Sequence, residues 1–322
     1  MRAHLVQYNI AWEDRAANVA RVRSLLDTAG VERGDLIVLP EMFDSGFSLR
    51  VDVTYDSAGE TQAFLADLAR RHDAFVYGGF TVRSESGRGL NRAQIINPAG
   101  ECLCQYDKIH PFSFGREPEQ FDGGTDVVTA PIKSDGGAFT ACPAICYDLR
   151  FPELFRRGLA KGADLFVIGA NWPDARTDHW RTLLVARAIE NQAYVVGVNR
   201  IGADPHLAYD GSSMAVSPRG EVLVDAGDAE GVFAAELSLK ALASGERHSQ
   251  PGRTGSPSCL EATKPLSRGR QVSRSPVLTM LYRRGVRMRG FCDLLSVFRA
   301  RGLTRSLGSV SSKTLSGRMR AR

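Results

Sequence analysis

The feature that most constrains the fold of this chain is a regular alternation between short apolar runs and longer segments with helical periodicity. Short apolar runs rich in Val and Ile are typical of strands buried on both faces. Gly, Pro and Asp punctuate these runs, which include His4–Ile10, Leu36–Leu39, Phe75–Val82, Leu165–Ile168 and Tyr194–Val198. Segments between them place apolar side chains on one helical face, so the pattern predicts an α/β fold whose sheets are covered by helices.

Four helices and a run of later strands are predicted around this framework. The helices are expected around Val19–Leu26 with Gly30 as the closing residue, around Phe64–Leu68, from Pro152 onward, and from Trp180 to Gln192. Three short strands follow at Ser213–Pro218, Glu221–Asp225 and Val232–Leu237. Strands joined by turns after a parallel pattern indicate mixed sheets.

Charge divides the chain into two parts. From Arg247 to Arg322 there are 15 Arg and 2 Lys against Glu261 and Asp293, a formal charge of +15. Because the whole chain carries +5, residues 1–246 carry −10. The acidic part has the composition of a globular protein. The basic part is rich in Arg, Ser and Gly and lacks steady periodicity, which favours disorder.

The sequence also predicts the cellular compartment of the protein and the absence of metal and membrane partners. The N-terminal apolar run is too short for a secretory signal, and no stretch approaches the roughly 20 apolar residues of a membrane span. The 6 cysteines form no C-x-x-C pair, and no His pair has zinc spacing. We therefore expect a cytoplasmic protein with free, mostly buried cysteines, no metal and no membrane partner.

Three chemically useful side chains come where strand-like runs end. They are Glu41 in PEMFDSGF, Lys108 in YDKIH and Cys146 in CYDLRFPEL. Ligands in folds of this class bind where strands deliver side chains into loops. A carboxylate, an ammonium and a thiol placed in this way predict an acyl-transfer site.

Each of these groups has a role in the hydrolysis of an amide. A free thiol has a pKa of about 8.5, so Glu41 is expected to accept its proton as the sulfur attacks. Lys108, with a backbone N–H near Cys146, is expected to stabilise the oxyanion. Glu41 then protonates the leaving ammonia and activates the water that hydrolyses the thioester. Taken singly, each residue also fits an ordinary structural role.

The sequence around these residues resembles the carbon–nitrogen hydrolase (nitrilase) superfamily. LPEMFDSGF, YDKIHPFSF and ICYDLRFPELFR resemble its Glu, Lys and Cys motifs in order and spacing. NWP at 171–173, RAIENQAYVVGVNR at 187–200 and YDGSSMAVSPRGEV at 209–222 match as well. The resemblance implies a four-layer αββα sandwich with mixed β-sheets, cysteine-based amide hydrolysis, no cofactor and a homodimer.

The resemblance further implies a second glutamate between the lysine and a later glycine. We align it with Glu117, seven residues before Gly124, and expect it to position Lys108 and the substrate. Glu119 is the alternative, and a solvated loop charge is the ordinary role for that residue.

Within the superfamily, CYDLRFP with ANWP and RAIENQAYVVGVNR most resembles the omega-amidases, which hydrolyse small keto-acid monoamides such as 2-oxoglutaramate. An anionic substrate needs a cation, and Arg150 is the candidate because a guanidinium can clamp a carboxylate. An ion pair between Arg150 and Asp148 is the structural alternative. The backbone at Tyr147, Asn171 and Trp172 is expected to form the pocket wall.

Several alternatives stay open at this point. Deaminated glutathione amidases share much of the CYD-x-RFPEL signature, and another carbon–nitrogen hydrolase fits too. A catalytically inactive binding relative is the alternative outside enzymes, although the intact motifs argue against it. Phe43 and Phe47 either close the pocket mouth or pack inside. No protease signature surrounds Cys146 or His110, so His110 is expected to support the Lys108 loop.

The resemblance stops near Leu242, which predicts a hydrolase domain at 1–242 and a basic tail at 243–322. The tail is either an arm for nucleic acid or anionic membrane, or the product of a shifted reading frame. In the first case Phe291, Leu294 and Phe298 belong to a basic amphipathic helix. The abrupt change in composition favours the second, so nucleic acid is not expected as a partner.

Overall fold

The computed structural model describes residues 1–134 and 137–244. The predictions for the basic tail from residue 245 onward lie outside the described residues. The helices are α1 Arg15–Leu26, α2 Val51–Thr54, α3 Glu60–His72, α4 Pro152–Ala160, α5 Thr177–Asn191 and α6 Leu239–Ser244. The strands are β1 Arg2–Gln7, β2 Leu36–Val38, β3 Phe75–Arg83, β4 Gly89–Ile96, β5 Cys102–Asp107, β6 Phe121–Asp122, β7 Ala130–Ser134, β8 Gly137–Ile145, β9 Leu165–Ala170, β10 Tyr194–Asn199, β11 Ile201–Ala203, β12 Ala208–Asp210, β13 Met214–Val216, β14 Val222–Asp225 and β15 Gly231–Glu236.

Two large sheets contain most of these strands. The first has the order β15-β1-β2-β3-β4-β5, with β6 paired to β4, and the second has the order β14-β13-β10-β9-β8-β7. Each sheet has a parallel centre, formed by β1, β2 and β3 or by β8, β9 and β10, and antiparallel neighbours. The prediction of mixed sheets is therefore confirmed.

The first sheet separates two apolar layers because side chains alternate along its strands. Val6, Ile37 and Val76 pack against α1 and α3 on one face. Val38 and Tyr77, one position along, face the second sheet. The continuous apolar runs in the sequence are thus explained by strands that are buried on both faces.

The second sheet is covered on its outer face by α4 and α5. Phe155 of α4 packs on Phe166 of β9, with ring centroids 5.0 Å apart. A Cβ atom on Gly197 of β10 would lie 2.6 Å from Leu184 of α5, so the helix approaches the strand closely only because this residue is glycine. The layers run helix, sheet, sheet, helix, which confirms the predicted αββα sandwich.

The sheets are joined by a buried hydroxyl. Tyr77 on β3 donates a hydrogen bond to the carbonyl of Ala144 at 2.8 Å and accepts one from the N–H of Gly169 at 3.1 Å. A Cβ atom on Gly169 would lie 2.9 Å from both Glu41 N and Leu39 O. Glycine here allows the loop that follows β2 to lie directly against the second sheet.

Several element boundaries differ from the sequence prediction. The first helix ends at Leu26 and is followed by Asp27, so Gly30 lies beyond it rather than closing it. The first strand covers residues 2–7 and not His4–Ile10. Strand β4 was not among the predicted strands. The helix at Thr177–Asn191 ends as expected, with Gln192 in the left-handed region.

Candidate active site

The ends of four strands deliver the predicted side chains to one place. Glu41 lies in the loop after β2, Lys108 directly follows β5, Cys146 directly follows β8 and Asn171 directly follows β9. All four are buried, and the nucleophile candidate Cys146 is 8% exposed. Two of these strands belong to the first sheet and two to the second, so the site lies at the junction of the sheets.

Lys108 lies at the centre of the charged groups. Its Nζ donates to Glu41 Oε1 and to Glu117 Oε2, each at 2.8 Å. The ammonium also lies 5.3 Å from the centroid of the Phe47 ring. Glu117 Oε2 accepts a further hydrogen bond from the backbone N–H of Phe112 at 2.5 Å. The structure therefore brings Glu41, Lys108 and Glu117 together.

Asn91 completes this group and is a site residue that the sequence motifs do not indicate. Its Nδ2 donates to Glu41 Oε1 at 2.7 Å and to Glu117 Oε1 at 2.9 Å. Asn91 lies on β4, beside the strand that carries Lys108. The available signal was an amide within an alternating strand, GLNRAQII, where a buried polar group requires a polar partner. Glu41, Asn91, Lys108 and Glu117 are called the buried array below.

Asn171 connects the buried array to the cysteine. Its backbone N–H donates to Glu41 Oε2 at 2.9 Å, and its Nδ2 donates to the Glu41 carbonyl at 2.6 Å. Its own carbonyl oxygen lies 3.8 Å from Cys146 Sγ. Asn171 therefore holds both the carboxylate and the backbone of Glu41 while it forms one wall beside the thiol.

Cys146 occupies an uncommon backbone conformation. Its φ of +44° lies in the left-handed region, which residues other than glycine adopt at a cost in conformational energy. The chain turns here from strand β8 into a short 3₁₀ turn at Cys146–Arg150. The backbone N–H of Tyr147, at the start of that turn, donates to no acceptor among the described residues. This leaves a polar N–H next to the thiol.

Asp148 holds the turn in place. One carboxylate oxygen accepts hydrogen bonds from Tyr106 Oη at 2.6 Å and Ile145 N at 3.0 Å. The other accepts from His110 N at 3.0 Å and lies 2.8 Å from His110 Nδ1. His110 thus connects the loop after Lys108 to the turn that carries Cys146.

The ionisation of the site follows from its burial. Burial raises the pKa of the Cys146 thiol well above its ordinary value, the Glu41 carboxylate raises it further, and Lys108 only partly opposes them. Burial alone would raise the pKa of Glu41, but Lys108 and the hydrogen bonds from Asn91 and Asn171 outweigh it, so this pKa is lowered. The resting site therefore combines a protonated thiol with an ionised Glu41.

The pKa values of Glu117 and Lys108 are both raised, unlike that of Glu41. Burial and the neighbouring Glu41 raise the pKa of Glu117, against the attraction of Lys108. Burial would lower the pKa of Lys108, but Glu117 and Glu41 raise it. The ammonium is thus held in its charged form.

The cavity above Cys146 is bordered by two arginines and three aromatic rings, which are called the cavity mouth below: Phe112, Tyr147, Arg150, Trp172 and Arg176. Arg150 Cζ lies 4.8 Å from the Trp172 ring centroid and 6.0 Å from that of Tyr147. Arg176 Cζ lies 5.5 Å from the Phe112 centroid, and the Phe112 and Tyr147 centroids are 5.1 Å apart. The cavity that they line is about 20 Å³ in volume.

The comparisons with known proteins agree with this geometry. The family model described as carbon-nitrogen hydrolase matches residues 2–247. The chain belongs to this family.

Individual relatives support the same assignment. A 2-oxoglutaramate amidase of Bacillus subtilis (strain 168) is 31% identical over 73% of this chain and 90% of its own length. An omega-amidase of Escherichia coli (strain K12) is 35% identical over 75% and 91%. A deaminated glutathione amidase of Synechocystis is 32% identical over 69% and 86%. The solved structure of XC1258 from Xanthomonas campestris, a CN-hydrolase superfamily protein with an arsenic adduct in its active site, is 36% identical over 76% of this chain and 92% of that one, with a TM-score of 0.70.

Three expectations from the sequence can be compared directly with the structure of this carbon–nitrogen hydrolase. Arg150 does not pair with Asp148, whose oxygens face Tyr106 and His110, and it forms no ion pair with a described carboxylate; its Nη2 lies 3.1 Å from His179 Nδ1. Phe43 does not close the cavity mouth, because it is buried against Phe64. Of the described cysteines, Cys142 and Cys146 are buried, Cys104 is partly exposed and Cys102 is exposed.

The two glutamates proposed for one role occupy different surroundings. Glu117 is fully buried beside Lys108, whereas Glu119 pairs at the surface with Arg116 at 2.6 Å. Only Glu117 is therefore placed to contact the lysine. Tyr147, Asn171 and Trp172 line the cavity.

No other part of the described chain offers a comparable site. A larger cavity of about 700 Å³, lined by Arg33, Asp73 and Lys133 among others, contains none of the predicted site residues. Within residues 1–134 and 137–244, no group of three His, Cys, Asp or Glu side chains could hold a metal ion. No helix in that part of the chain is long and apolar enough to cross a membrane.

Proposed function

We propose that this carbon–nitrogen hydrolase converts a small amide that bears a carboxylate into the acid and ammonia through a thioester on Cys146. The observation that carries the proposal is the buried array beside a thiol whose position is fixed by Asn171. Burying three charged groups costs free energy, and buried groups with perturbed pKa values cluster at functional sites.

In the first half of the reaction, Glu41 accepts the thiol proton as Cys146 Sγ attacks the amide carbon. Proton transfer accompanies attack because the thiol pKa is raised and the Glu41 pKa is lowered in the resting site. The negative charge that forms on the amide oxygen is stabilised by the Lys108 ammonium and by the unpartnered N–H of Tyr147. The carbon–nitrogen bond then breaks, and ammonia leaves with the proton from Glu41.

In the second half, Glu41 removes a proton from water as the oxygen attacks the thioester. The carbon–sulfur bond breaks, the acid is released and Cys146 regains its proton. One amide and one water thus give one acid and one ammonia, with no cofactor. Glu117 holds Lys108 in position between the carboxylates throughout, and Asn91 fixes both carboxylates.

The substrate class follows from the cavity mouth. Arg150 stacks on Trp172 and has no described acid partner, so its guanidinium is available for a carboxylate. Relatives with the names 2-oxoglutaramate amidase and omega-amidase support an omega-amide of a keto acid as substrate. The small cavity also favours a small substrate over deaminated glutathione.

The test is ammonia release from 2-oxoglutaramate by the wild-type protein and by Cys146→Ala. We expect turnover that the substitution abolishes. Equal rates would overturn the assignment of the nucleophile, and turnover of deaminated glutathione alone would move the protein to that branch. Tight binding of either amide without ammonia release would identify an inactive binding relative.

The remaining proposals concern assembly and boundaries. We propose a cytoplasmic homodimer, because Ile189 on α5 and Val222 and Leu223 on β14 are exposed apolar side chains of the kind that subunit contacts cover. We also propose that residues 1–242 form the catalytic domain. Sedimentation of the full chain and of a version that ends at residue 244, with ammonia release from each, tests both proposals.

A further inference from the structure

The side chains of the cavity mouth form a closed ring in which cations alternate with aromatic groups. Arg176 lies over Phe112, Phe112 contacts Tyr147, and Arg150 lies between Tyr147 and Trp172. The ring closes where Trp172 Nε1 donates to the backbone carbonyl of Arg176 at 2.8 Å. Two guanidiniums therefore share one small opening.

The backbone of Arg176 is fixed, but its guanidinium is not. The backbone N–H donates to the Pro173 carbonyl at 3.0 Å, and the backbone carbonyl accepts from Trp172. The half-buried side chain makes no hydrogen bond and no ion pair with any residue in the described part of the chain. Its guanidinium contacts the Phe112 ring, and a solvated cation–π contact is weaker than two hydrogen bonds to a carboxylate.

The part of the cavity next to Cys146 is narrow, so a substrate that reaches the thiol must pass the side chains of the cavity mouth. Its volume of about 20 Å³ holds about one water molecule. Cys146, Asn171 and Trp172 are all less than 9% exposed, so their side chains cannot move outward without disturbing the core. Arg150 lies between two rings, whereas Arg176 contacts one ring and is more easily displaced.

The charge around the opening indicates what displaces Arg176. Neither guanidinium of the cavity mouth has a carboxylate partner within the described residues, and the imidazole beside Arg150 does not supply a negative charge. Two unpaired cations at one opening repel each other, and an anion that binds between them relieves this repulsion. A substrate with a carboxylate remote from the scissile amide supplies that anion.

We propose that Arg176 is a specificity-determining residue that leaves Phe112 and binds the remote carboxylate of the substrate together with Arg150. The inference rests on the proposed function, because it requires a carboxylate-bearing amide at this site. Arg176 does not take part in bond cleavage. Its contribution is confined to the affinity for anionic amides and so to KM.

The test compares two amides that differ in one group. Succinamate carries a carboxylate where succinamide carries a neutral amide of nearly the same shape. For Arg176→Gln we expect kcat/KM for succinamate to fall about tenfold through KM, with less than about a twofold change for succinamide. Arg176→Lys should restore part of the loss, because it retains the charge without the planar pair of donors.

The control variant is Arg219→Gln, which removes an exposed arginine from the turn between β13 and β14. It should leave both substrates unchanged. An equal loss on both substrates in Arg176→Gln would mean that Arg176 only supports Phe112, and no loss on either would mean that it does not meet the substrate. Either result overturns the inference.

Equilibrium binding separates this inference from the proposed function. Succinamate binding is measured by calorimetry to Cys146→Ala and to the double variant Cys146→Ala/Arg176→Gln. A roughly tenfold weaker affinity in the double variant supports the role of Arg176 even if the wild-type protein releases no ammonia. Equal affinities in the two proteins overturn the inference even if turnover is observed.

Discussion

The buried array and the cavity mouth differ in whether their charged groups have partners of opposite charge. In the buried array, Lys108 contacts two carboxylates and every charge has a partner 2.8 Å away. In the cavity mouth, Arg150 and Arg176 contact aromatic rings and have no carboxylate partner among the described residues. The first arrangement is complete without a ligand, whereas the second is completed by one.

This difference assigns separate tasks to the two regions. Paired charges in a dry site are already oriented, so they can stabilise a transition state without reorganising. Unpaired charges at an opening attract and select an anion before chemistry begins. Changes in the buried array should therefore affect kcat and stability, while changes in the cavity mouth should affect KM and substrate choice.

The largest effect is expected for Lys108→Met. Removal of the ammonium leaves Glu41 and Glu117 buried without a counter-charge, which should cost about 3–5 kcal/mol of unfolding free energy. Loss of oxyanion stabilisation should lower kcat by a factor of at least about 10³. Denaturant unfolding and ammonia release measure these effects. Cys146→Ala is the control, since it should lose activity but retain stability; an active, stable Lys108→Met protein would contradict the comparison.

The next largest effect is expected for Glu117→Gln. The substitution retains the shape but removes one counter-charge from Lys108, and the displaced ammonium should lower kcat about a hundredfold. The matched control is Glu119→Gln, where the lost partner is the exposed Arg116, and no change in kcat is expected. Equal effects of the two substitutions would remove the distinction between the buried and the surface glutamate.

A smaller effect, of another kind, is expected for Arg150→Gln in the cavity mouth. KM for 2-oxoglutaramate should rise about tenfold to a hundredfold, because a charge-assisted pair with the substrate carboxylate is lost. The kcat and the unfolding midpoint should change little, since Arg150 has no described acid partner to leave unpaired. Steady-state kinetics and a thermal melt distinguish an effect on substrate binding from an effect on stability. A fall in kcat without a change in KM would mean that Arg150 takes part in bond cleavage and not in substrate binding.

The smallest effect is expected for Asn91→Leu and is measured as a shift in pH dependence. Asn91 helps to lower the pKa of Glu41, so its loss should raise that pKa. Activity requires ionised Glu41 and falls as pH drops through this pKa, so the acidic limb of kcat/KM should move to higher pH. We also expect about a tenfold lower kcat. Asn91→Asp, which adds a negative charge, should move the limb further, and an unmoved limb in both would exclude a role in positioning Glu41.

The sequence predicts the fold and most of the site because both depend on local patterns. Apolar runs identify strands buried on two faces, and motif spacing places Glu41, Lys108 and Cys146 at strand ends. The identity of Asn91 as their partner could not be predicted, since strand β4 lies between two other strands only after the sheet has formed. Its hydrogen-bond partners Glu41 and Glu117 are 50 and 26 residues away in the sequence.

The contacts of Asp148, Arg150 and Arg176 could not be predicted from the local sequence for the same physical reason. Asp148 and Arg150 are close in sequence and opposite in charge, which suggests an ion pair, but the turn at Cys146 directs Asp148 inward to Tyr106 and His110. Arg176 was not singled out, because nothing local distinguishes it from a surface arginine. Its significance depends on Phe112, which comes from a distant loop.

The hydroxyl of Tyr77 affects how the catalytic groups are positioned relative to one another. Glu41 and Lys108 come from one sheet and Cys146 comes from the other. The distance between the base and the nucleophile therefore depends on how the two sheets are aligned. Tyr77 bridges those layers through Ala144 and Gly169, one residue before the strand ends that carry the thiol and Asn171. Tyr77 acts as a spacer in the core that sets the distance between Glu41 and Cys146. A substitution of Tyr77 would therefore misalign these two groups without changing any residue that takes part in the reaction.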